Sequence, residues 1–231
     1  MRMSRRMGLL GGKKLVLPTL AELFADMTVI AQGGRGTNSR AAVSLSGLDF
    51  NANPSIYIFA FCNDSFAIHH LLSNGSEYGK TTLYRATDDS NATNIYISGT
   101  SCYLSINGSI LVGVNGGTII AATFPSYTDD QISAVFGNIS VKSSAGRNTS
   151  SKGIIYLSNT VITGEIILTA YNGAMCAAPV TSPTEYICTL DYKYSSSKTY
   201  IARNYVDSST IYLSNRETGS GITLGGTILT I

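Results

Sequence analysis

Two histidines stand side by side, His69 and His70, and the 231 residues contain no other imidazole. General-base chemistry by histidine would have to use this pair. Asp64 and Ser65 lie just upstream and complete, in name, a serine, histidine and carboxylate set. Strand geometry argues against it, because alternate residues of an extended segment over 66–72 face opposite ways and only one ring could enter a given site. A Gly-x-Ser-x-Gly segment, the nucleophile elbow of common hydrolases, is absent from the sequence.

Metal chemistry finds no better footing. The sequence has neither a His-Glu-x-x-His helix nor a Cys-x-x-Cys pair. Asp88-Asp89 and Asp129-Asp130 sit where turns or helix starts favour carboxylates, without the spacing of a calcium loop. Gly75-Ser76-Glu77-Tyr78-Gly79-Lys80-Thr81 resembles a phosphate-binding loop but has three residues between its glycines and a strand-like continuation where a helix is required, so it reads as a hairpin connection. No catalytic residue, metal or cofactor is therefore expected. Cys62, Cys102, Cys176 and Cys188 are expected as free buried thiols. Cys176 and Cys188, separated by Pro179 and Pro183, are the pair a hairpin could join under oxidising conditions.

Two features suit binding instead. The chain has 14 tyrosines, no tryptophan and only 13% charged residues. Tyrosine offers a flat face and a hydroxyl that can grip sugars or protein epitopes, and Tyr186, Tyr192, Tyr194, Tyr200 and Tyr205 form the densest cluster. In a sheet the same residues also serve as cross-strand packing. The second feature is charge asymmetry: residues 1–40 carry seven Lys or Arg against two acids, whereas the rest carry nine against twelve. Arg2, Arg5, Arg6, Lys13 and Lys14 all precede the first acid, Glu22, and could attract phosphate, anionic lipid or an acidic protein surface. A solvated, frayed terminus is the plainer account of the same residues. The net-negative body disfavours nucleic acid. Lys13 and Lys14 interrupt the apolar stretch a signal peptide needs, and nowhere does an apolar run approach the roughly 18 residues of a membrane span.

The elements that must carry these residues are mostly strands. Ser, Thr, Asn and Gly account for 91 of the 231 residues, which excludes coiled coils and long helical bundles and favours sheet. Thr19 and Glu22 have capping-box spacing, and Leu20, Leu23, Phe24 and Met27 recur at i, i+3, i+4 and i+7, so a short amphipathic helix is predicted whose apolar face must dock on its own domain, a sister subunit or a partner. Gly33-Gly34-Arg35-Gly36-Thr37-Asn38-Ser39 reads as a flexible joint. Strands are predicted over 43–48, 55–62, 66–72, 81–87, 93–98, 102–106, 109–115 and 118–124, several of them separated by Asn-Gly hairpin signals at Asn74-Gly75, Asn107-Gly108 and Asn115-Gly116. A second helix is predicted over 129–136, capped by Thr128 and Gln131 and closed by Gly137. Strands then resume over 138–142, 153–158, 161–170, 185–192, 198–205, 209–214 and 222–231. The segment Ile155-Tyr156-Leu157-Ser158-Asn159 recurs as Ile211-Tyr212-Leu213-Ser214-Asn215, as a duplicated unit or as ordinary strand composition. Six Asn-x-Ser/Thr sequons, at Asn63, Asn74, Asn91, Asn107, Asn138 and Asn148, read as turn chemistry. The expected fold is all-β, an antiparallel sandwich or jelly-roll-like body behind a short N-terminal amphipathic helix. Its divisions are an anchor and joint over 1–40, a β-region over 41–125 and a second over 126–231, the last two being either separate or one continuous sandwich.

The start Met3-Ser4-Arg5-Arg6-Met7, the helix from Leu20 to Met27, the Gly33 to Gly36 segment and a Ser/Thr/Asn/Gly/Tyr β-body together resemble bacteriophage virion proteins of the tail-fibre, head-fibre or decoration kind. The resemblance implies a non-enzymatic structural role and assembly in a bacterial cytoplasm. It also implies partners among other virion proteins, a homo-oligomeric state such as a trimer, and contact with a host-surface glycan. The basic run and the apolar helix face, Leu20, Leu23, Phe24 and Met27, would then form the docking surface. A carbohydrate-binding or glycan-cleaving module using the tyrosine-rich face, with His69, His70 and Asp64 as its available catalytic groups, is the alternative.

Overall fold

A computed structural model describes residues 15–34, 41–62, 64–85, 93–106, 109–110, 117–146, 154–156, 164–180, 187–194, 198–206, 210–215 and 226–231. In chain order these form α1 (Leu20–Asp26), β1 (Thr28–Gly34), β2 (Ala42–Ser44), β3 (Ile56–Cys62), β4 (Ser65–Ser73), β5 (Tyr78–Arg85), β6 (Thr93–Ser98), β7 (Ser101–Ile106), β8 (Ser109–Ile110) and β9 (Thr118–Thr123). After α2 (Asp129–Phe136) come β10 (Ser143–Gly146), β11 (Ile154–Tyr156), β12 (Ile166–Tyr171), β13 (Ala174–Pro179), β14 (Ile187–Tyr194), β15 (Lys198–Val206), β16 (Thr210–Asn215) and β17 (Thr227–Thr230). The fold is all-β and its strand pairs are antiparallel.

The central sheet has the order β1-β9-β3-β4-β5. Its middle strand, Ile56-Tyr57-Ile58-Phe59-Ala60-Phe61-Cys62, is apolar at every position and buried at every position, as a strand covered on both faces must be. On one face Tyr57, Phe59, Phe61, Phe66, Ile68 and Ile120 pack under both helices and under β12 and β17, through Leu23, Phe24, Ile132, Phe136, Leu168 and Leu229. On the other, Ile56, Ile58, Ala60, Leu71, Ile119 and Ala121 meet Val43, Leu45, Ile95, Cys102 and Leu104 from the β2-β7-β6 side. The body is thus three layers deep around the central sheet, and the first core draws residues from both sides of position 125.

Both helices are set by their predicted caps. Thr19 and Glu22 close a reciprocal capping box on α1, and Thr128 and Gln131 do the same on α2. The Asn74-Gly75 signal also becomes a hairpin, joining β4 to β5 with Gly75 at φ +93°, so the loop resembling a phosphate site is a turn entering a strand. Asn107-Gly108 and Asn115-Gly116 lie outside the described residues.

Three expectations change. Residues 138–142 form no strand; the pairing begins at Ser143, in β10. Two strands were not expected, β13 and β1. Gly33 and Gly34 belong to the latter rather than to a joint, because a Cβ on Gly33 would lie 1.9 Å from the Ala42 carbonyl oxygen and one on Gly34 only 2.0 Å from the Asn172 carbonyl carbon. Close backbone approach, not hinge motion, requires glycine there. Arg35 to Ser39 lie outside the described residues. Of the two similar segments, the first positions are register partners, Ile155 of β11 opposite Ile211 of β16 in one antiparallel ladder.

Candidate functional site

The histidine pair divides as strand alternation requires. Tyr57 and His70 are register partners on β3 and β4, as are Ile58 and His69. His69 is fully buried, with Nδ1 3.0 Å from the Thr82 hydroxyl and Nε2 without a hydrogen-bond partner. Burial, reinforced by Lys80 and Arg85, pushes its pKa down to about 3, so the ring is neutral at ordinary pH. His70 lies on the opposite face, where its ring stacks on Tyr57 at a centroid distance of 4.7 Å. Asp64 and Ser65 do not join it. They sit at the β3–β4 turn, with Ser65 opposite Cys62, whereas His70 lies farther along the same strand, roughly 17–20 Å away at about 3.4 Å per residue.

A different carboxylate faces His70. Asp129 begins α2, placed there by the Thr128 cap. Its Oδ1 accepts a hydrogen bond from the Tyr57 hydroxyl at 2.7 Å, and its Oδ2 accepts one from the Ser55 hydroxyl at 2.7 Å. His70 Nε2 stands 3.9 Å from Oδ2, and that nitrogen is buried without a hydrogen-bond partner. Burial works to raise the Asp129 pKa, but the hydrogen bonds from Ser55 and Tyr57, with the nearby His70, outweigh it and hold the carboxyl below its ordinary value. Burial and the bond to Asp129 push the Tyr57 phenol far upward. Serine, histidine and aspartate therefore do come together, as Ser55, His70 and Asp129, but the serine proton is directed at the carboxylate. A catalytic relay needs it aimed at the imidazole. This arrangement braces a helix end against the central sheet and keeps an ionised carboxylate at the surface, where Asp129 is 47% exposed.

Beside the brace lies an open cleft of about 480 Å³, between the segment 52–55 and the corner that joins β9 to α2. Asn53, Ser55, Thr123 and Asp129 supply polar wall, while Phe124 and Tyr127 supply aromatic wall. The sequence reading did not find it. Among the described residues no group of three or more His, Cys, Asp or Glu could hold a metal ion, and no helix is long and apolar enough to cross a membrane.

The predicted docking surface needs correction. Leu23 is completely buried and Phe24 nearly so, in the chain's own core. The Phe24 ring meets Phe59 at 6.1 Å and Phe136 at 5.8 Å, while Leu20 and Met27 pack partly buried against the same cluster. The amphipathic face is therefore a monomer contact, because its aromatic completes the core under α2 rather than facing outward. Arg2, Arg5, Arg6, Lys13 and Lys14 lie outside the described residues. What is exposed is the extended Leu15-Val16-Leu17, with Val16 79% accessible. Gln131 Nε2 donates to the Val16 carbonyl at 2.8 Å and pins this stretch to α2. Farther along, Asp26 accepts from the Ser126 hydroxyl at 2.6 Å and from its backbone N–H at 3.0 Å.

In the tyrosine cluster, Tyr192 and Tyr200 are register partners on β14 and β15, and Tyr194 pairs with Lys198. Tyr205 lies opposite both Ile187 and Tyr212. Strand alternation assigns positions 192, 194 and 200 to one face of the sheet and 205 to the other. Tyr186 lies outside the described residues. Cysteine chemistry also departs from expectation: Cys176 is disulfide-bonded, whereas Cys62 and Cys102 are buried thiols outside any disulfide, the latter pushed up to about 12 by burial. Strands β13 and β14 lie close to each other. The side chain of Cys188 lies outside the described residues.

Comparison with protein-family models, with curated proteins and with solved structures returned no match.

Proposed function

We propose that this chain is a non-enzymatic structural component of a phage particle, whose β-body is held in place by residues 1–17 ahead of α1. The observation that carries the reading is the exposed, pinned Leu15-Val16-Leu17 directly after a stretch containing five early cations. Exposed apolar residues next to basic ones fit a partner surface that is grooved and acidic. Leu23 and Phe24 are excluded from that surface by their burial, so the anchor is shorter than the sequence suggests. The Ser55–Asp129 hydrogen bond, which leaves the hydroxyl aimed away from the imidazole, supports a non-catalytic role. A disulfide at Cys176 suits a protein that ends outside the reducing cytoplasm, as virion surfaces do.

The test is sedimentation of particles from infected, lysed host cells carrying either the full chain or a variant lacking residues 1–17. The full chain should band with the particles. The truncated chain should stay at the top of the gradient with an unchanged circular-dichroism spectrum. Equal banding of both would overturn the anchor, and turnover of a substrate by the purified chain would overturn the non-enzymatic reading.

A further inference from the structure

The cleft beside Asp129 has no part in the anchoring just described. Its volume of about 480 Å³ falls in the range of small-molecule sites, roughly 300–1,000 Å³. The composition of its wall narrows the ligand. Among the described residues no Lys, Arg or His lines it and its one charged group is the Asp129 carboxylate, so phosphates and carboxylates would be repelled. Each Asp129 oxygen already accepts one hydrogen bond from the protein, Oδ1 from Tyr57 and Oδ2 from Ser55, which leaves acceptor capacity on both oxygens. Two adjacent hydroxyls can fill that capacity together. Asn53 and Thr123 add polar groups along the wall, and Tyr127 adds an aromatic ring.

The two bonds to Asp129 also answer a mechanical requirement. They fix the carboxylate before any ligand arrives, so little conformational entropy is lost on binding. Tyr57 is buried and stacked on His70, and it cannot swing away.

We infer that this cleft binds a neutral, hydroxyl-rich ring of the size of one hexose, with Asp129 accepting from a vicinal diol. The inference is independent of how the chain is anchored. It also places sugar recognition away from the tyrosine positions on β14 and β15.

The experiment is amide chemical-shift mapping of the isotopically labelled full chain, titrated to tens of millimolar with the methyl glycosides of glucose, galactose and mannose. N-acetylneuraminic acid and inorganic phosphate serve as anionic probes. At least one neutral glycoside should shift the amides of Asn53, Ser55, Thr123, Tyr127 and Asp129. Asp129→Asn should weaken that glycoside about tenfold, the loss expected when a charged acceptor is removed. The inference is overturned if none of the three glycosides shifts these amides, if the shifts fall on β14 and β15 instead, if either anion binds more tightly, or if a folded Asp129→Asn binds equally well. Should that variant not fold, the wild-type map and the anionic probes decide the matter.

Discussion

Tyr57 and Asp129, 72 residues apart in the chain, are joined by a 2.7 Å hydrogen bond between a phenol on the central strand and a carboxylate at the first position of α2. The bond ties the middle of one core face to the helix that covers it. Hydrogen bonds to charged groups contribute about 1.5–3 kcal/mol, and Tyr57→Phe removes this one while keeping the ring stacked on His70. Chemical denaturation at neutral pH should show a loss in that range. A loss below about 0.5 kcal/mol would show that the brace contributes no more than an ordinary surface position.

His69 should make stability pH-dependent in a defined window. Its folded pKa of about 3 lies below the ordinary 6.5, so between those values the unfolded chain binds a proton that the folded chain refuses. Stability is fully present above pH 6.5 and falls by about 1.4 kcal/mol per unit as pH drops towards 3. Asp129 has its pKa lowered from 3.8, so its contribution is kept above that value and is lost only at lower pH. Urea midpoints between pH 4.5 and 6.5 therefore isolate the imidazole contribution. In His69→Gln the slope should be shallower by about that amount, and an unchanged slope would show that burial of His69 does not govern it.

Phe24→Ala should destabilise the body by about 3–5 kcal/mol, the cost of a large cavity in a close-packed aromatic core. Removing residues 1–14 should leave the melting temperature within a degree or so, since the capping box and Phe24 remain. Differential scanning calorimetry of the two variants gives the contrast, and the opposite ranking would reverse the division between anchor and core drawn at Leu17.

Gly34→Ala and Gly79→Ala form a matched pair. A Cβ at Gly34 collides with the backbone of Asn172 and Gly173, whereas one at Gly79 meets nothing within 4 Å. The first should cost several kcal/mol or prevent folding, and the second should change stability by less than about 1 kcal/mol. Equal expression and equal denaturation midpoints would show that β1 does not run against the turn at 172–173.

Thiol titration after unfolding without reductant should count two of the four cysteines, Cys62 and Cys102, and four after reduction. In the folded protein both of these thiols should resist modification, because they are buried and the Cys102 pKa is raised. Four thiols before reduction would remove the bridge at Cys176.

Much of this was legible because local chemistry fixed it. The two Thr-x-x-Glu/Gln boxes marked both helices, and apolar residues bounded by turn residues marked most strands. The site was less legible. Tyr57 meets His70 because the β3–β4 hairpin register, set where Cys62 faces Ser65, makes them partners, and Asp64 and Ser65 read more readily as part of a catalytic set than as the end of a hairpin. Asp129 reaches the same spot through packing of α2 on the sheet, a contact with no short-range signature. Strand β13 was missed although Asn172-Gly173 carries the hairpin signal used elsewhere; both residues have positive φ, at 45° and 90°. Strand β1 was missed because paired glycines suggest freedom when read alone, and only the neighbouring backbones show why side chains are forbidden. The apolar run of β3 was legible as a strand, and its burial on both faces is the structure's addition. Which elements would cover it depended on long-range assembly.

The pinning of Val16 to Gln131 has a mechanical consequence for the anchoring proposed above. Tension applied through the first fourteen residues would rupture that single bond first, then pull Phe24 out from beside Phe136, and only afterwards load the ladder between β1 and β9. Under the load of the proposed anchor, yielding would therefore run in stages from the periphery through the interior aromatic layer to the central sheet.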